Sequence, residues 1–425
     1  ATDGDFAEKL DRDDRLAYLR DKFVIPEGKI YLLGNSLGLM PKAAAAAVEH
    51  VMDEWREMAI GGWLGGDPPW FWLAERTGEE MAPLVGARPE EVICTGTTTF
   101  NIHQAVATFY RPEGGRTKIV ACEPEFPTDI YALKSQIALR GLDWREHLVL
   151  IPARPDGIVE EEEIVEAMTG EVALAHLPGV LFRTGQLLDI ERLAAAGREA
   201  GAITGFDCSH SAGIAVHRFD EWNVDFAEWC GYKYLCGGPG APAFLYINER
   251  HFDSVPGLAG WFGCVKERQF DMSLDFEHER NAGGWQVSSP GIIAASAMRG
   301  ALSVVAGAGV EEIRSKSLRM TGYLIDLVDE LLSKEPYGFR VVSPREESRR
   351  GGHVAISRSA EAMRIKEALT SRGVIVDYRP PDVIRLAPSP LYTTFAEIRA
   401  AVAHIAGIID DREYERIPEA RKPVS

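Results

Sequence analysis

The chain has little cysteine: six residues in 425, at positions 94, 122, 208, 230, 236 and 264, with no C-x-x-C pair and no finger spacing. That excludes a disulfide-stapled scaffold and a cysteine-held zinc site. Since most of them sit inside apolar runs, they read as reduced core thiols of an intracellular protein. No run reaches the roughly 18 apolar residues that a membrane span needs, and the acidic start ATDGDFAEKLDRDD lacks the apolar region of a signal peptide. A soluble, cytoplasmic protein is expected. Positive charge is in deficit, 46 Lys and Arg against 64 Asp and Glu for a net charge of -18, which argues against nucleic acid or an anionic membrane as the main partner. GGPGAP (237–242) lacks the G-K-[ST] ending of a nucleotide loop, and His103, His176, His210 and His217 lack zincin spacing, so neither a nucleotide nor a metal is expected.

What the chain does have is length and alternation. With 425 residues it can bury a large core, and because single cores stop growing near about 250–300 residues, two domains are expected. From residue 91, short apolar runs (EVICTG, KIVACE, VALAHLPGV, AITGFDC and AFLYI) alternate with helix-length segments at 99–110, 128–140 and 189–200. Such alternation implies an α/β fold with a mostly parallel sheet sandwiched by helices. Ahead of it, the alanine-rich stretch after KIYLLGNSLGL reads as a helix entered at Pro41. The Gly-, Pro- and Trp-rich GGWLGGDPPWFW (61–72) suits a pocket wall, an interface or a satellite apolar cluster. Beyond about residue 300 a helical stretch (311–333) leads to FRVVS, GHVAISR, a helix near 360–371, VIVDYR, VIRLAP and a helix from about 394, which read as a smaller α+β C-terminal domain. The expected division is 1–60 as N-terminal arm and helix, 61–305 as the large α/β domain and 306–425 as the small domain.

In a parallel sheet, ligands bind beyond the carboxyl ends of the strands. There, after EVICTG, Thr98 and Thr99 open a helix whose free N–H groups and dipole suit an anion, although a Thr cap serves many helices with no ligand. After KIVACE come Phe126 and Asp129, by themselves a core ring and a helix cap. Asp207 and His210 follow AITGF, and an ionised Asp buried at such a place must be paired; a pyridinium N–H is one partner and a turn the other. Lys233 stands between two tyrosines in WCGYKYLCGGPGAPAFLYI. Apolar surroundings strip the hydration from a lysine ammonium and favour the nucleophilic amine a Schiff base needs, whereas an ordinary lysine there would snorkel to water.

YLLGNSLGL, EFPTD, FDCSHSAG, DFAEWCGYKYLCGGPGA, GWFG (260–263) and IRLAPSPLY (384–392), in this order and through nearly the whole chain, resemble the kynureninase family. These are pyridoxal phosphate (PLP) enzymes of the aspartate aminotransferase superfamily, fold type I. The resemblance implies hydrolysis of L-kynurenine, or of its 3-hydroxy form, to anthranilate and L-alanine through a PLP Schiff base with Cβ–Cγ cleavage. It implies that Lys233 carries the Schiff base, that Asp207 pairs with the pyridine nitrogen, that His210 lies beside the ring and that Phe126 stacks on it. Thr98, Thr99, Asp129 and Tyr232 match cofactor contacts, Tyr232 also serving as acid-base relay. Trp261 and Ser289 match positions that reach the phosphate from a partner subunit, making a homodimer the functional unit. Arg385 matches the clamp on the substrate carboxylate, and Ser36 and Trp63 match the wall of the aromatic pocket. Two positions depart from the family pattern. Ser289 stands where some relatives carry Asn, and Trp63 where others carry His, which implies a preference for kynurenine over its hydroxylated form. The same scaffold serves cysteine desulfurases and class V aminotransferases, and an idle homologue would be a binding protein. A desulfurase needs an accessible, low-pKa Cys on a mobile loop, and only Cys264 has a loop-like setting.

Overall fold

The apolar runs assemble into a seven-stranded sheet in the computed structural model, which describes residues 4–418; the outer ends of the expected 1–60 and 306–425 segments lie outside it. In chain order the strands are β1 (Val92–Cys94), β2 (Lys118–Cys122), β3 (Leu148–Ile151), β4 (Val172–Pro178), β5 (Ile203–Asp207), β6 (Phe226–Cys230) and β7 (Ala243–Ile247). Their spatial order is β1-β7-β6-β5-β4-β2-β3, with β7 alone antiparallel to its neighbours. Every residue of β4, β6 and β7 is buried, because helices cover both faces. Alternation sorts the side chains: in β2, Val120 and Cys122 join one core while Ile119 and Ala121 join the other. Strands β1, β2, β4, β5 and β7 and the helices Thr98–Phe109, Pro127–Leu139 and Ile190–Ala200 match the sequence expectation within a residue or two.

Three details differ. β3 was not expected, since it is an edge strand behind a four-residue helix and only one of its residues is fully buried. The alanine-rich helix runs Lys42–Met58 with Pro41 as its cap, outside the first turn. Helix Ile292–Ala308, which packs along Lys42–Met58, had no counterpart in the sequence reading.

A second, antiparallel sheet comprises β8 (Arg340–Val341), β9 (Val354–Ser357), β10 (Asp377–Arg379) and β11 (Val383–Leu386), in the order β10-β11-β9-β8. It packs with helices Val310–Leu331, Ala362–Ser371 and Phe395–Asp410, the last entered through a Thr394–Glu397 capping box. Val310 and Ile313 belong to the first core and Met320 onward to the second, so packing changes over inside one helix, slightly later than the expected 305/306 boundary. The N-terminal arm is stitched to both: Leu16, Leu19 and Phe23 join the first core, while Ile30–Tyr31 pairs in parallel with Val374–Ile375. Among the described residues no single helix is long and apolar enough to cross a membrane. Ile292–Ala308 and Val310–Leu331 pass that test only as a pair, bent by 78°.

Candidate active site

The carboxyl ends of β1, β2, β5 and β6 open onto one cleft of about 300 Å³, closed on the far side by β10 and β11. β5 ends in Asp207, whose Oδ1 accepts a 2.6 Å bond from the Ser209 N–H. That bond tightens the turn carrying His210. β6 runs into the turn that carries Tyr232 and Lys233. The 34–38 loop lies flat against this turn: Gly38 N–H donates to Tyr232 O at 2.8 Å, and a Cβ at position 38 would fall 2.5 Å from Lys233 O, so only glycine permits the approach. The loop thereby brings Ser36 to the cleft. The Lys233 amine forms no hydrogen bond or ion pair with the described residues and is left to project into the cleft.

Two helices aim their N-termini at the same space. Thr97 caps Thr98–Phe109 by accepting from Phe100 N–H, and Thr99 and Thr128 join the two helix starts through a 2.7 Å hydroxyl bond. Phe126, just ahead of Pro127–Leu139, is 44% exposed; its edge meets Phe182 at 5.4 Å and 87°, and its ring still lines the cleft. An apolar ring left that open is a stacking face awaiting a partner.

Arg385 is completely buried on β11. Its Nη1 donates to Phe182 O at 2.6 Å, and its Nη2 is bonded to Asp377, the residue opposite it on β10. Asp377, equally buried, also receives Arg379 at 3.0 Å, so two guanidiniums share one carboxylate and the cluster keeps a surplus positive charge facing the cleft. Burial, followed by the charges of Lys233 and Arg385, holds the His210 imidazole well below its ordinary pKa. Burial and Arg385 do the same to His353, whose ring meets His210 edge-on at 6.0 Å. Both are therefore neutral rings. Burial, with Cys230 next to it, raises the Tyr232 phenol, which stays protonated as a donor.

Of the residues expected from the sequence, Ser36, Thr98, Thr99, Phe126, Asp207, His210, Tyr232, Lys233 and Arg385 come together here. Asp129 does not line the cleft. It is sealed behind the wall at 0% exposure, with neither carboxylate oxygen hydrogen-bonded. Trp63 packs within its own chain on Trp70 and Phe262, at centroid distances of 6.1 and 6.0 Å, and is not among the residues of this chain that line the cleft. Trp261 and the exposed Ser289 also lie outside it. The sequence reading missed Asn35, Asp377 and Arg379. The Asn35 amide lines the cleft, is fully buried and has no partner for either polar atom. Charged residues inside the apolar strand VIVDYR were the available signal for the other two, but the pairing of Asp377 with Arg385 depends on hairpin register. Cys264 stands apart from the cleft, and burial raises its thiol, the opposite of what a sulfur-accepting cysteine requires; the other five cysteines are buried.

This arrangement fits PLP. Helix N-termini with Thr98 and Thr99 suit a phosphate, Phe126 offers a ring face, Asp207 an acceptor, His210 an unpartnered buried nitrogen and Lys233 a free amine.

Residues 313–405 match the family described as the kynureninase C-terminal domain. The chain is 46% identical to the kynureninase of Geobacillus thermodenitrificans (strain NG80-2) over 421 residues, 99% of this chain and 98% of that one. It is 47% identical, with the same coverage, to the kynureninase of Bacillus thuringiensis subsp. konkukian (strain 97-27). Among solved structures, an apo cysteine desulfurase from Thermococcus onnurineus NA1 superposes with a TM-score of 0.75 at 17% identity, over 95% of this chain and 98% of that chain. A C-DES mutant with glycine covalently linked to its PLP cofactor gives a TM-score of 0.79 at 17% identity, over 91% and 98%. Those two likenesses establish the PLP fold type I architecture, while the near full-length identity decides between its members: this chain belongs to the kynureninase family.

Proposed function

We propose that the chain hydrolyses L-kynurenine to anthranilate and L-alanine with PLP as cofactor. One observation carries the reading: Lys233, Asp207 and Arg385, drawn from distant parts of the chain, meet in a single cleft. When bound, PLP supplies an electron sink conjugated to the substrate Cα. Lys233 Nζ would hold the cofactor through its aldehyde, and as a free amine it would be the base that takes the Cα proton and returns it elsewhere. Asp207 would accept from the cofactor's ring N–H and balance its charge. Arg385 would orient the substrate through its α-carboxylate, and neutral His210 would border the cofactor without adding a competing charge. The Tyr232 hydroxyl donates to the γ-carbonyl oxygen as water adds there, then takes a proton back as the Cβ–Cγ bond breaks. Ser36, beside Arg385, borders the aromatic moiety. Asp129 supports the site from behind its wall.

The same reading makes the working unit a cytoplasmic homodimer. Trp55, Ile60, Leu64, Trp261, Phe270 and Leu274 are between 48% and fully exposed, an apolar surface too extensive for a chain that works alone. Across a two-fold axis, Trp261, Ser289 and Trp63 come from the partner to complete the cleft. Mixed dimers check this. Lys233→Ala and Trp261→Ala proteins, each impaired alone, are expected to recover about one quarter of wild-type activity when unfolded and refolded together, since half the dimers are hybrid and each hybrid holds one intact site. No recovery would place Trp261 in its own chain's site. With Trp63 as a wall, kcat/KM for kynurenine is expected to exceed that for 3-hydroxykynurenine, as parallel assays of the two substrates will read. Release of fluorescent anthranilate from kynurenine tests the reading as a whole; sulfide from cysteine, or a keto acid from an amino-acid pair, with no anthranilate, would replace it.

A further inference from the structure

Behind the cofactor wall lies a buried group that no step above uses. His176 on β4 and Glu228 on β6 are not on neighbouring strands, since β5 runs between them, yet His176 Nε2 and Glu228 Oε1 are 2.6 Å apart and both residues have 0% exposure. Gly205 makes this possible. It sits on β5 opposite both His176 and Phe226, and with no side chain of its own it leaves room for the imidazole and the Phe226 ring, stacked at 6.2 Å and 26°. A Cβ there would lie 2.0 Å from the Phe226 ring. Glu228 is in turn the strand neighbour of Asp207. From the helix packed on this face comes Asp129, and its oxygens, His176 and Glu228 offer atoms all within 4.8 Å of one another. His176 Nδ1 and both Asp129 oxygens lack partners, so a buried donor position and a buried acceptor are left facing one need.

We propose that His176 is a positioning residue: a cation seated between Glu228 and Asp129, it offsets the carboxylates behind the ring and keeps Asp207 available as the acceptor for the ring nitrogen. Four carboxylates crowd this region, Glu125, Asp129, Asp207 and Glu228, and unopposed they would force one another to take up protons. Burial, and then Asp207, already raise Glu125 and Asp129 well above the ordinary carboxylate range. Burial by itself would lower the His176 imidazole, but the bonded Glu228 first, then Asp129 and Asp207, outweigh it and raise it to about 9. Burial raises Glu228 to about 7 against the pull of His176, so of the two bonded partners the imidazole holds the shared proton more firmly. Because the ring bonds Glu228 directly and is walled off from solvent, the imidazolium takes the place that a metal ion between these three residues would fill.

The inference rests on the PLP reading of the cleft, and the experiment separates the two. In the ¹⁵N-histidine-labelled PLP holoenzyme, assigned by comparison with His176→Gln, both ring nitrogens of His176 are expected to be protonated at pH 7.5. Glu228→Gln and His176→Gln are each expected to move the pH at which the bound cofactor's visible band titrates by about one unit or more relative to wild type. Purified protein that never shows a cofactor band overturns the reading of the cleft itself. A band present and titrating alike in wild type and both variants, a neutral His176, or a stoichiometric metal in the holoenzyme overturns this inference alone. If neither variant folds, through-bond assignment of the wild-type His176 ring nitrogens supplies the same readout.

Discussion

Lys233→Ala is expected to lower turnover of kynurenine by at least about 10⁴-fold, the upper end of what one positioned acid-base group provides, and to abolish the visible band of covalently held cofactor. Two functions vanish at once: the covalent hold on the aldehyde and the base for the Cα proton. No neighbour can substitute. His210 and His353 are weak bases, because burial and the Arg385 charge, both still present in the variant, hold their imidazoles well below the ordinary value, and burial keeps the Tyr232 phenol protonated. The fold has no stake in this amine, which contacts neither a carboxylate nor a carbonyl, so the variant should melt like wild type. It should also retain PLP non-covalently through Thr98, Thr99, Phe126 and Asp207. A Lys233→Ala enzyme with normal turnover, or with the band intact, refutes the assignment.

Arg385→Lys carries the second largest effect. The arginine uses its fork twice, toward Phe182 O and toward Asp377, and still presents a face to the cleft. Lysine keeps the charge, so Asp377 is not abandoned in the interior, but a single ammonium cannot serve the carbonyl, the carboxylate and a substrate carboxylate together. KM for kynurenine is expected to rise about 100-fold with kcat changed only a few-fold, because the lost bonds are made to ground state and transition state alike. The cofactor band and its titration should not move. Steady-state kinetics with a parallel absorbance titration will show this, and an unchanged KM removes Arg385 from the substrate carboxylate.

The residues legible in the sequence were those at which a local pattern breaks. Asp207 and Lys233 interrupt apolar runs just where strands end, and the rule placing ligands beyond strand carboxyl ends made those positions informative. Residues whose meaning lies in strand order stayed hidden. His176 and Glu228 each sit within an apolar run, VALAHLP and FAEWC, and either alone could be an incidental polar residue. Only the order β4-β5-β6, with a glycine in the middle strand, shows that they touch. Asp377 and Arg385 likewise depend on hairpin register. Trp63 was placed in a pocket that its own chain does not complete, because no sequence pattern says which copy of a chain a side chain serves.

The arm's path between the two cores has a mechanical consequence. Ile30–Tyr31 is bonded into Val374–Ile375, Leu33 bridges Ala387 two residues beyond Arg385, and Gly38 is pinned to the carbonyl of Tyr232. A few residues of backbone therefore act as a strut from the strand that carries Arg385 to the turn that carries Lys233. Backbone hydrogen bonds thus fix the separation of Arg385 and Lys233 across two cores, with no side chain of the arm needed to set it.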